Sequence, residues 1–284
     1  MEQSIKQLLD KYNIKPSKRL GQNFLIDNSV LQKTINAAEL SKNDIVLEIG
    51  PGLGTLTMEL AKRTKQVIAV EKDEKMCKIL QEVLDVKNVR NVRVINNDIL
   101  KVRSSEFEVQ SYKIVANLPY YIASPVIRMF LETENKPESM ILMVQKEVAQ
   151  RICAKPGQMS ILAVAIQFYA RPEIVSEVLK TSFYPQPKVD SAIIKITPKN
   201  NLPKINIENF FSLIKAGFSS KRKFLISNLS RELSARGGSA FGGKIENCKL
   251  KIVFDQARLG QKMRAENLSV DDWMNIYEKI KNIL

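Results

Sequence analysis

Histidine is absent from this 284-residue chain, and cysteine and long apolar runs are scarce. Without histidine there is no Ser-His-Asp triad, no imidazole general base and no zinc site with histidine ligands. The three cysteines, Cys77, Cys153 and Cys248, are far apart and lack CxxC spacing, so neither a disulfide framework nor a metal-binding knuckle is expected. The longest charge-free window, 156–170, is too short to span a bilayer, and the first twelve residues lack the apolar core of a signal peptide. We therefore expect a reduced, cytoplasmic protein without membrane segments or bound metal.

Acidic residues are in the minority, because lysine and arginine number 44 against 30 for aspartate and glutamate, which gives a formal charge of +14. The excess is concentrated in the C-terminal part, where residues 199–284 contain 16 basic and 8 acidic side chains. A surplus of this size favours a polyanionic partner such as nucleic acid. A lysine-rich, solvated surface without a partner is the alternative interpretation.

Short apolar runs alternate with helical patterns from Ile45 onward, which predicts an α/β fold of the Rossmann-like kind. We expect a mostly parallel, seven-stranded sheet with helices on both faces. The predicted strands are 45–49, 67–70, 92–95, 112–116, 139–144, 174–179 and 192–196. The alternating pattern of the last run predicts that it forms an edge of the sheet.

The composition and the predicted secondary structure of the chain change after Pro198. Residues 200–203 resemble a linker, and the rest is predicted to be helical and basic, with helices at 207–216, 222–233 and 270–283, the last capped by Ser269. We therefore predict a catalytic domain over residues 1–200 and a small all-α domain over residues 201–284. The glycine-rich stretch at 237–243 is expected to be a loop of unassigned role.

A glycine-rich loop, Gly50 to Gly54 (GPGLG), follows the first predicted strand of the sheet and precedes a helix. Such a loop lets the backbone approach a nucleotide closely. Thr55 stands where the dinucleotide motif has its third glycine, and no Walker Gly-Lys-Ser/Thr follows.

Acidic residues follow the next two strands. Glu71 is placed to accept hydrogen bonds from ribose hydroxyls, and Asp98 from an adenine amino group. With Gly50 and Gly52 these residues favour S-adenosylmethionine over NAD. Taken singly, Glu71 is also compatible with helix capping and Asp98 with a turn.

The tetrapeptide Asn117-Leu118-Pro119-Tyr120 ends the fourth strand and suggests a holder for the exocyclic amine of adenine or cytosine. The side-chain oxygen of Asn117 and the backbone carbonyl of Leu118 can each accept one N–H of the amine, which directs its lone pair outward. Pro119 stiffens the turn, and Tyr120 provides a ring for base stacking. An ordinary turn at a strand end is the alternative.

These motifs, taken together, resemble the ribosomal RNA adenine N6-dimethyltransferases of the KsgA type. The resemblance extends over nearly the whole chain and includes KRLGQNFL (18–25), EIGPGLG (48–54), NLPY (117–120), QKEVA (145–149), FYPQPKVDS (183–191), FSSKRK (218–223) and RAENLS (264–269). It implies a class I methyltransferase fold that uses S-adenosylmethionine to dimethylate N6 of two adjacent adenosines. These adenosines lie in the 3′-terminal hairpin loop of small-subunit ribosomal RNA.

The resemblance also assigns roles to individual residues. Asn23, Leu25, Gly50, Glu71, Asp98 and Asn117 would contact the cofactor, and Phe183 would close over the target base opposite Tyr120. From their charge, Lys18, Arg19, Lys221, Arg222 and Lys223 are candidates for phosphate contacts. The partner implied is an immature small ribosomal subunit, bound by a monomeric enzyme with a role in subunit biogenesis.

Two alternatives from other functional classes remain open from the sequence. The first is amino-methylation of another nucleic acid, either large-subunit RNA, as in the related Erm enzymes, or DNA. The second is a non-catalytic RNA-binding assembly factor that retains the fold. The QKEVA segment and the tail resemble KsgA more than Erm, and the presence of Glu71 and Asn117 argues against a factor that has lost catalysis.

Overall fold

The structure is a computed structural model that describes residues 2–102, 107, 109–235 and 247–282. The chain divides into two compact units. The first contains residues 1–150 and 170–199, and the second contains residues 151–169 and 200–284. The grouping of 151–169 with the C-terminal residues was not predicted.

The first unit is built on a seven-stranded sheet and a two-stranded ribbon. Its helices are α1 (Glu2–Lys11), α2 (Asn28–Ala37), α3 (Thr55–Ala61), α4 (Glu74–Val86) and α5 (Ala123–Glu132), and α6 (Lys146–Ile152) begins in it. Its strands are β1 (Phe24–Leu25), β2 (Ile45–Ile49), β3 (Gln66–Glu71), β4 (Val92–Asn96), β5 (Lys113–Asn117), β6 (Met140–Gln145), β7 (Ala170–Val178), β8 (Phe183–Tyr184) and β9 (Ser191–Pro198).

The strand order of the large sheet is β4-β3-β2-β5-β6-β9-β7. Strands β2 to β6 pair in parallel, and β9 is antiparallel to both β6 and β7. Alternate residues of β2 point to opposite faces, yet Val46 and Leu47 are both almost fully buried. The prediction of a mostly parallel seven-stranded sheet covered on both faces is therefore confirmed.

The predicted edge strand was wrong. Residues 191–198 lie between β6 and β7 and are mostly buried, and β7 forms the edge, with Ile174 and Val175 exposed. Strand β7 begins at Ala170, and its pairing with β9 shifts register between Ile174 and Ser176. Alternating polar and apolar residues along a strand show which face of the sheet is exposed to solvent. Whether the strand is at the edge depends on which other strands pair with it, and the tertiary fold determines that pairing.

The second unit is helical. It contains α7 (Ile161–Tyr169), α8 (Ile207–Gly217), α9 (Leu225–Ala235), α10 (Asn247–Gln256) and α11 (Val270–Lys281). Its core includes the fully buried Trp273 and Phe210, and a Cβ added to Gly217 would lie 2.3 Å from the Trp273 ring. Ser269 caps α11 as predicted, because its Oγ accepts the backbone N–H of Asp272 at 3.1 Å. Glycine is therefore required at position 217 by packing against the tryptophan.

The residues that the structure describes lack two features. None of their helices is long and apolar enough to cross a membrane. No cluster of three or more metal-ligating side chains is found among them. The glycine-rich stretch at 237–243 lies outside the described residues.

Candidate active site

The order of the sheet reverses between β2 and β5, because the chain proceeds from β2 to β3 and β4 on one side and then places β5 on the other. Open α/β sheets bind ligands at such a point, outside the carboxyl ends of the strands. A cleft with about 1230 Å³ of empty space, part of it open to solvent, lies at this point. Its lining includes predicted residues from each segment: Asn23, Leu25, Gly50, Gly52, Glu71, Asp98, Asn117, Leu118, Pro119 and Tyr120.

The glycine loop adopts backbone conformations that other residues rarely reach. Gly52 and Gly54 have φ of +53° and +82°. A Cβ on Gly52 would come within 3.1 Å of the Phe24 ring, and one on Gly54 within 2.6 Å of Leu80. The loop therefore forms a tight turn before α3, and side chains larger than hydrogen would disturb it at both positions.

Glu71 stabilises this loop from the end of β3. One carboxylate oxygen accepts the Gly52 N–H at 3.1 Å and the other accepts the Asp73 N–H at 2.9 Å. Burial raises the pKa of Glu71, and these two backbone hydrogen bonds offset part of the rise. Each carboxylate oxygen can accept more than one hydrogen bond, so Glu71 keeps acceptor capacity for ribose hydroxyls at the cleft wall.

Asp98 follows the end of β4 and has a basic partner. Its Oδ2 is 2.8 Å from the Lys72 ammonium, and its Oδ1 accepts the Leu100 N–H at 3.1 Å. The Lys72 hydrogen bond holds the pKa of Asp98 below its usual value. Asp98 therefore starts the turn at Ile99 as an ionised acceptor in the cleft lining, and its contact with an adenine amino group stays a prediction.

Asn117 ends β5 and is held through its amide nitrogen. Nδ2 donates to the backbone carbonyl of Asn23 at 3.1 Å. In the part of the chain that the structure describes, no hydrogen bond is formed by Oδ1. The Asn23 side chain in turn donates to the Gly21 carbonyl at 3.2 Å. This arrangement orients the amide and leaves its oxygen able to accept a hydrogen bond, and acceptance from a substrate amine stays a prediction.

The rest of the tetrapeptide forms a stiff wall of the cleft. The Leu118 side chain is buried and its N–H donates to the Met143 carbonyl at 3.2 Å. The Pro119 ring lies against Gly21 and Gly50, where added Cβ atoms would be 3.4 and 3.8 Å from it. The Tyr120 hydroxyl is 2.7 Å from the Ser191 hydroxyl, which fixes its ring at the rim. Burial raises the pKa of Tyr120, so its hydroxyl stays neutral.

Phe183 is not part of the cleft lining. Strand β8 pairs with β1, so Phe183 lies opposite Leu25, and its side chain is only 3% exposed within the apolar cluster around Val30 and Leu31. Its assignment as the second stacking ring stays a prediction, and it requires the side chain to leave this packed position. Leu25, its partner in the ribbon, does line the cleft.

Tyr121 and Glu48 are among the lining residues that the sequence analysis did not identify. Tyr121 is 55% exposed at the mouth, beside Tyr120. Glu48, two residues before the glycine loop, is 1% exposed, and its Oε2 has no hydrogen-bond partner within the described parts of the chain. A charged residue inside the apolar run Ile45–Ile49 was the signal that could have identified Glu48.

The predicted phosphate-binding residues are exposed. Lys18 and Arg19 lie in a turn closed by a hydrogen bond from Gly21 N to Lys18 O at 3.1 Å. Arg19 is close enough to Lys72, a residue of the cleft lining, for the two positive charges to interact. Lys221, Arg222 and Lys223 form an exposed turn before α9 in the helical unit.

The basic turn is fastened by a buried side chain. Asn228 Nδ2 donates to the carbonyls of Gly217 at 2.7 Å and Ser220 at 2.9 Å. Arg231 also donates to the Ser219 hydroxyl at 3.0 Å. These contacts fix the ends of the turn and leave its three cations facing solvent.

The chain is similar to known methyltransferases in both sequence and structure. The profile of the family described as ribosomal RNA adenine dimethylase matches residues 13–282. Similar curated proteins named ribosomal RNA small subunit methyltransferase A include one from Dehalococcoides mccartyi, 44% identical over 95% of this chain and 90% of its own length. Another, from Clostridium botulinum, is 38% identical over 98% of this chain and 99% of its own length.

Solved structures show the same fold. A dimethyladenosine transferase from Plasmodium falciparum is 28% identical, with a TM-score of 0.75 over 89% of this chain and 95% of its own. The 23S rRNA methyltransferase ErmE is 28% identical, with a TM-score of 0.73 over 91% of this chain and 99% of its own.

The family is S-adenosylmethionine-dependent, and the residues of the cleft fit that cofactor: a tight glycine loop in which a Cβ on Gly52 would crowd Phe24, and a wall acid at Glu71. The similarity to ribosomal RNA adenine dimethylases extends over most of the chain in both sequence and fold. The chain belongs to the ribosomal RNA adenine dimethylase family and is an adenine dimethyltransferase.

Proposed function

We propose that this protein dimethylates N6 of two adjacent adenosines in the 3′-terminal hairpin loop of small-subunit ribosomal RNA. The observation that carries the proposal is the fixed amide of Asn117, whose nitrogen is bonded to Asn23 and whose oxygen is left to accept from an amine. Identity of 38–44% to proteins named for the small subunit supports this choice of RNA.

The reaction is a direct displacement in which the protein mainly positions the reactants. S-Adenosylmethionine supplies a methyl group activated on a sulfonium. The Asn117 oxygen and the Leu118 carbonyl accept the two N–H bonds of N6 and direct its lone pair along the line of attack. Positioning of this kind supplies most of the rate enhancement in a reaction between two bound partners. The methylated ammonium loses its proton to water, so no histidine is needed.

The target adenine must leave its stack to reach the cleft. Tyr120, fixed by Ser191, provides the ring on which it stacks, and Phe183 covers the other face once it has moved from its packed position. Each stack is worth about 1–3 kcal/mol. At the other end of the cleft, Glu71 accepts from the ribose of the cofactor, Asp98 from its adenine, and Asn23, Leu25, Gly50 and Gly52 enclose its methionine portion.

RNA binding is assigned to the basic surface. Lys18 and Arg19 near the cleft mouth and the turn Lys221–Lys223 contact phosphates, and the helical domain (residues 201–284 with residues 151–169) recognises the subunit. We infer that the enzyme acts as a cytoplasmic monomer on an immature small ribosomal subunit, without a metal ion.

An Erm-like action on large-subunit RNA is the second candidate, because the TM-score to ErmE is nearly that to the dimethyladenosine transferase. The experiment that separates the two uses labelled S-adenosylmethionine and both ribosomal subunits from cells that lack the small-subunit modification. We expect label on two adjacent dimethyladenosines near the 3′ end of the small-subunit RNA.

Label confined to large-subunit RNA would move the assignment to the Erm-like reaction. Binding of subunits without any incorporation, by a protein that still binds the cofactor, would instead support an assembly factor. Asn117→Ala, which retains the fold and the charge, serves as the matched inactive enzyme in both arms.

A further inference from the structure

Phe224 is an exposed aromatic residue that directly follows the basic turn Lys221–Lys223. It is 42% exposed, whereas every other phenylalanine that the structure describes is buried or half-buried. Phe218, at the other end of the same connection, stacks on the buried Trp273 with ring centroids 5.8 Å apart. Leu225, the next residue, is fully buried. The exposure of Phe224 is therefore particular to this position, since the residues around it are packed.

Phe224 also occupies a position that normally favours a polar side chain. Helix α9 begins at Leu225, and the Phe224 carbonyl accepts its first helical hydrogen bond, from the Asn228 N–H at 3.1 Å. At this N-cap position a serine, threonine, aspartate or asparagine side chain would accept an N–H of the first turn. The same unit caps α8 with Asn206 and α11 with Ser269. Phenylalanine has no acceptor, so α9 lacks the stabilisation that such a cap supplies.

The surroundings of the ring indicate what kind of partner it suits. The exposed residues nearest to it in the chain are polar, namely Lys223 on one side and Ser227 on the other. One ring within a polar surface is too small for the apolar centre of a protein interface, but it matches the area of a single base. Aromatic rings beside cations that bind phosphates are the arrangement by which proteins hold single-stranded nucleic acid.

The backbone around the ring is fixed, so the ring is presented from a defined place. Asn228 Nδ2 donates to the carbonyls of Gly217 and Ser220, and the Leu225 N–H donates to the Met263 carbonyl at 2.8 Å. A stacking platform held in this way loses little conformational freedom when a base settles on it.

We propose that the Phe224 ring stacks on an unpaired base of the ribosomal RNA while the cations beside it contact the flanking phosphates. The inference rests on the proposed function only in taking RNA as the partner of the basic turn. It gives the helical unit a contact to a base in addition to its charge, so this unit would distinguish unpaired from fully paired RNA.

Stacking and phosphate contacts differ in their response to salt. Phosphate contacts release counter-ions, so their loss reduces the slope of log affinity against log salt, whereas loss of a stack leaves the slope unchanged. Phe224→Ala should therefore weaken RNA binding by a similar factor at every salt concentration. Each stack contributes enough to lower affinity by about fivefold to a hundredfold when it is removed.

The test measures binding of two probes to the full chain. One is an oligoadenylate of about twelve nucleotides, and the other is a ribose-phosphate chain of the same length without bases. Phe224→Ala should bind oligoadenylate at least about fivefold more weakly and the abasic chain with unchanged affinity. Phe224→Tyr, which keeps a ring, should behave as wild type. Ile252→Ala is the matched control, because it removes a 50% exposed apolar side chain from α10 of the same unit.

A spectroscopic measurement reports on the stack itself. Trp273 is the single tryptophan of the chain and is fully buried, so its emission in the wild type provides the baseline. The Phe224→Trp variant keeps an aromatic ring and adds an exposed indole. Its additional emission should be quenched by oligoadenylate and not by the abasic chain.

Equal weakening of both probes by Phe224→Ala would overturn the proposal, as would unchanged binding of both. Weaker binding of small subunits with unchanged binding of oligoadenylate would also overturn it, because the ring would then contact a ribosomal protein. Failure of the proposed function gives a different result: Lys221, Arg222 and Lys223 replaced together by alanine would bind the abasic chain like wild type. None of these binding results depends on which RNA is methylated.

Discussion

The cleft of the sheet unit and the basic turn of the helical unit are built in opposite ways. In the cleft, Glu71 and Asn117 end separate strands, and hydrogen bonds from Gly52 and to Asn23 hold their side chains. In the basic turn, Asn228 fastens the backbone while Lys221–Lys223 remain exposed. Chemistry needs atoms fixed to within fractions of an ångström, whereas phosphate contacts tolerate mobile cations. The two regions should therefore respond differently to substitution.

Asn117→Ala should give the largest effect. Loss of the amide oxygen leaves N6 with one fixed acceptor, so turnover should fall by about a hundredfold or more. Affinity for S-adenosylmethionine, measured by calorimetry, should change only a few-fold. Asn43→Ala, in the exposed loop before β2, is the matched control, because it makes the same substitution outside the cleft. Near-normal methylation of small subunits by Asn117→Ala would contradict the proposed role.

Replacing Lys221, Arg222 and Lys223 by alanine should weaken RNA binding without changing cofactor binding. RNA affinity should fall by about tenfold to a hundredfold, and the slope of log affinity against log salt should decrease by roughly 2 to 3. Cofactor binding should be unchanged. A triple alanine variant at the exposed Lys251, Lys262 and Lys281 removes the same charge from the same unit. Equal weakening by both triple variants would show that net charge, not this turn, attracts the RNA.

Glu71→Gln should mainly weaken binding of the cofactor. A hydrogen bond to a charged acceptor is worth about 1.5–3 kcal/mol, so affinity for S-adenosylmethionine should fall by about tenfold or somewhat more. RNA binding at saturating cofactor should be retained. Glu74→Gln, which breaks only the exposed pair with Lys78, should change neither. If Glu71→Gln weakened RNA and cofactor equally, the separation of roles within the cleft would be wrong.

Tyr120→Phe should have the smallest effect. It removes the 2.7 Å contact with Ser191 but keeps the ring, so turnover should fall only about twofold to tenfold. Tyr120→Ala removes the stacking surface as well and should be clearly worse. Equal activities of the two variants would show that the base does not stack on this ring.

Much of the cleft could be predicted because its residues follow strands. The carboxyl ends of parallel strands meet at one edge, so Gly50, Glu71, Asp98 and Asn117 had to converge once the strands were recognised. Glu48 was missed because it lies inside a strand, where an apolar pattern leads one to expect packing. Phe183 was expected in the cleft, but pairing of β8 with β1 places it in the core, and short ribbons of this kind leave little pattern in a sequence.

The sequence by itself determined the family, the seven strands of the large sheet in chain order, and the positions of the glycine loop and of the tetrapeptide 117–120 at strand ends, because these depend on local spacing and residue type. Only the tertiary structure decided that 191–198 is an inner strand, that 151–169 joins the helical unit, and that Glu48 is buried with no hydrogen-bond partner for its Oε2 among the described residues. Strand neighbours, unit membership and the pairing of a buried charge are set by contacts between segments far apart in the chain, and no local pattern records which distant segment will supply them.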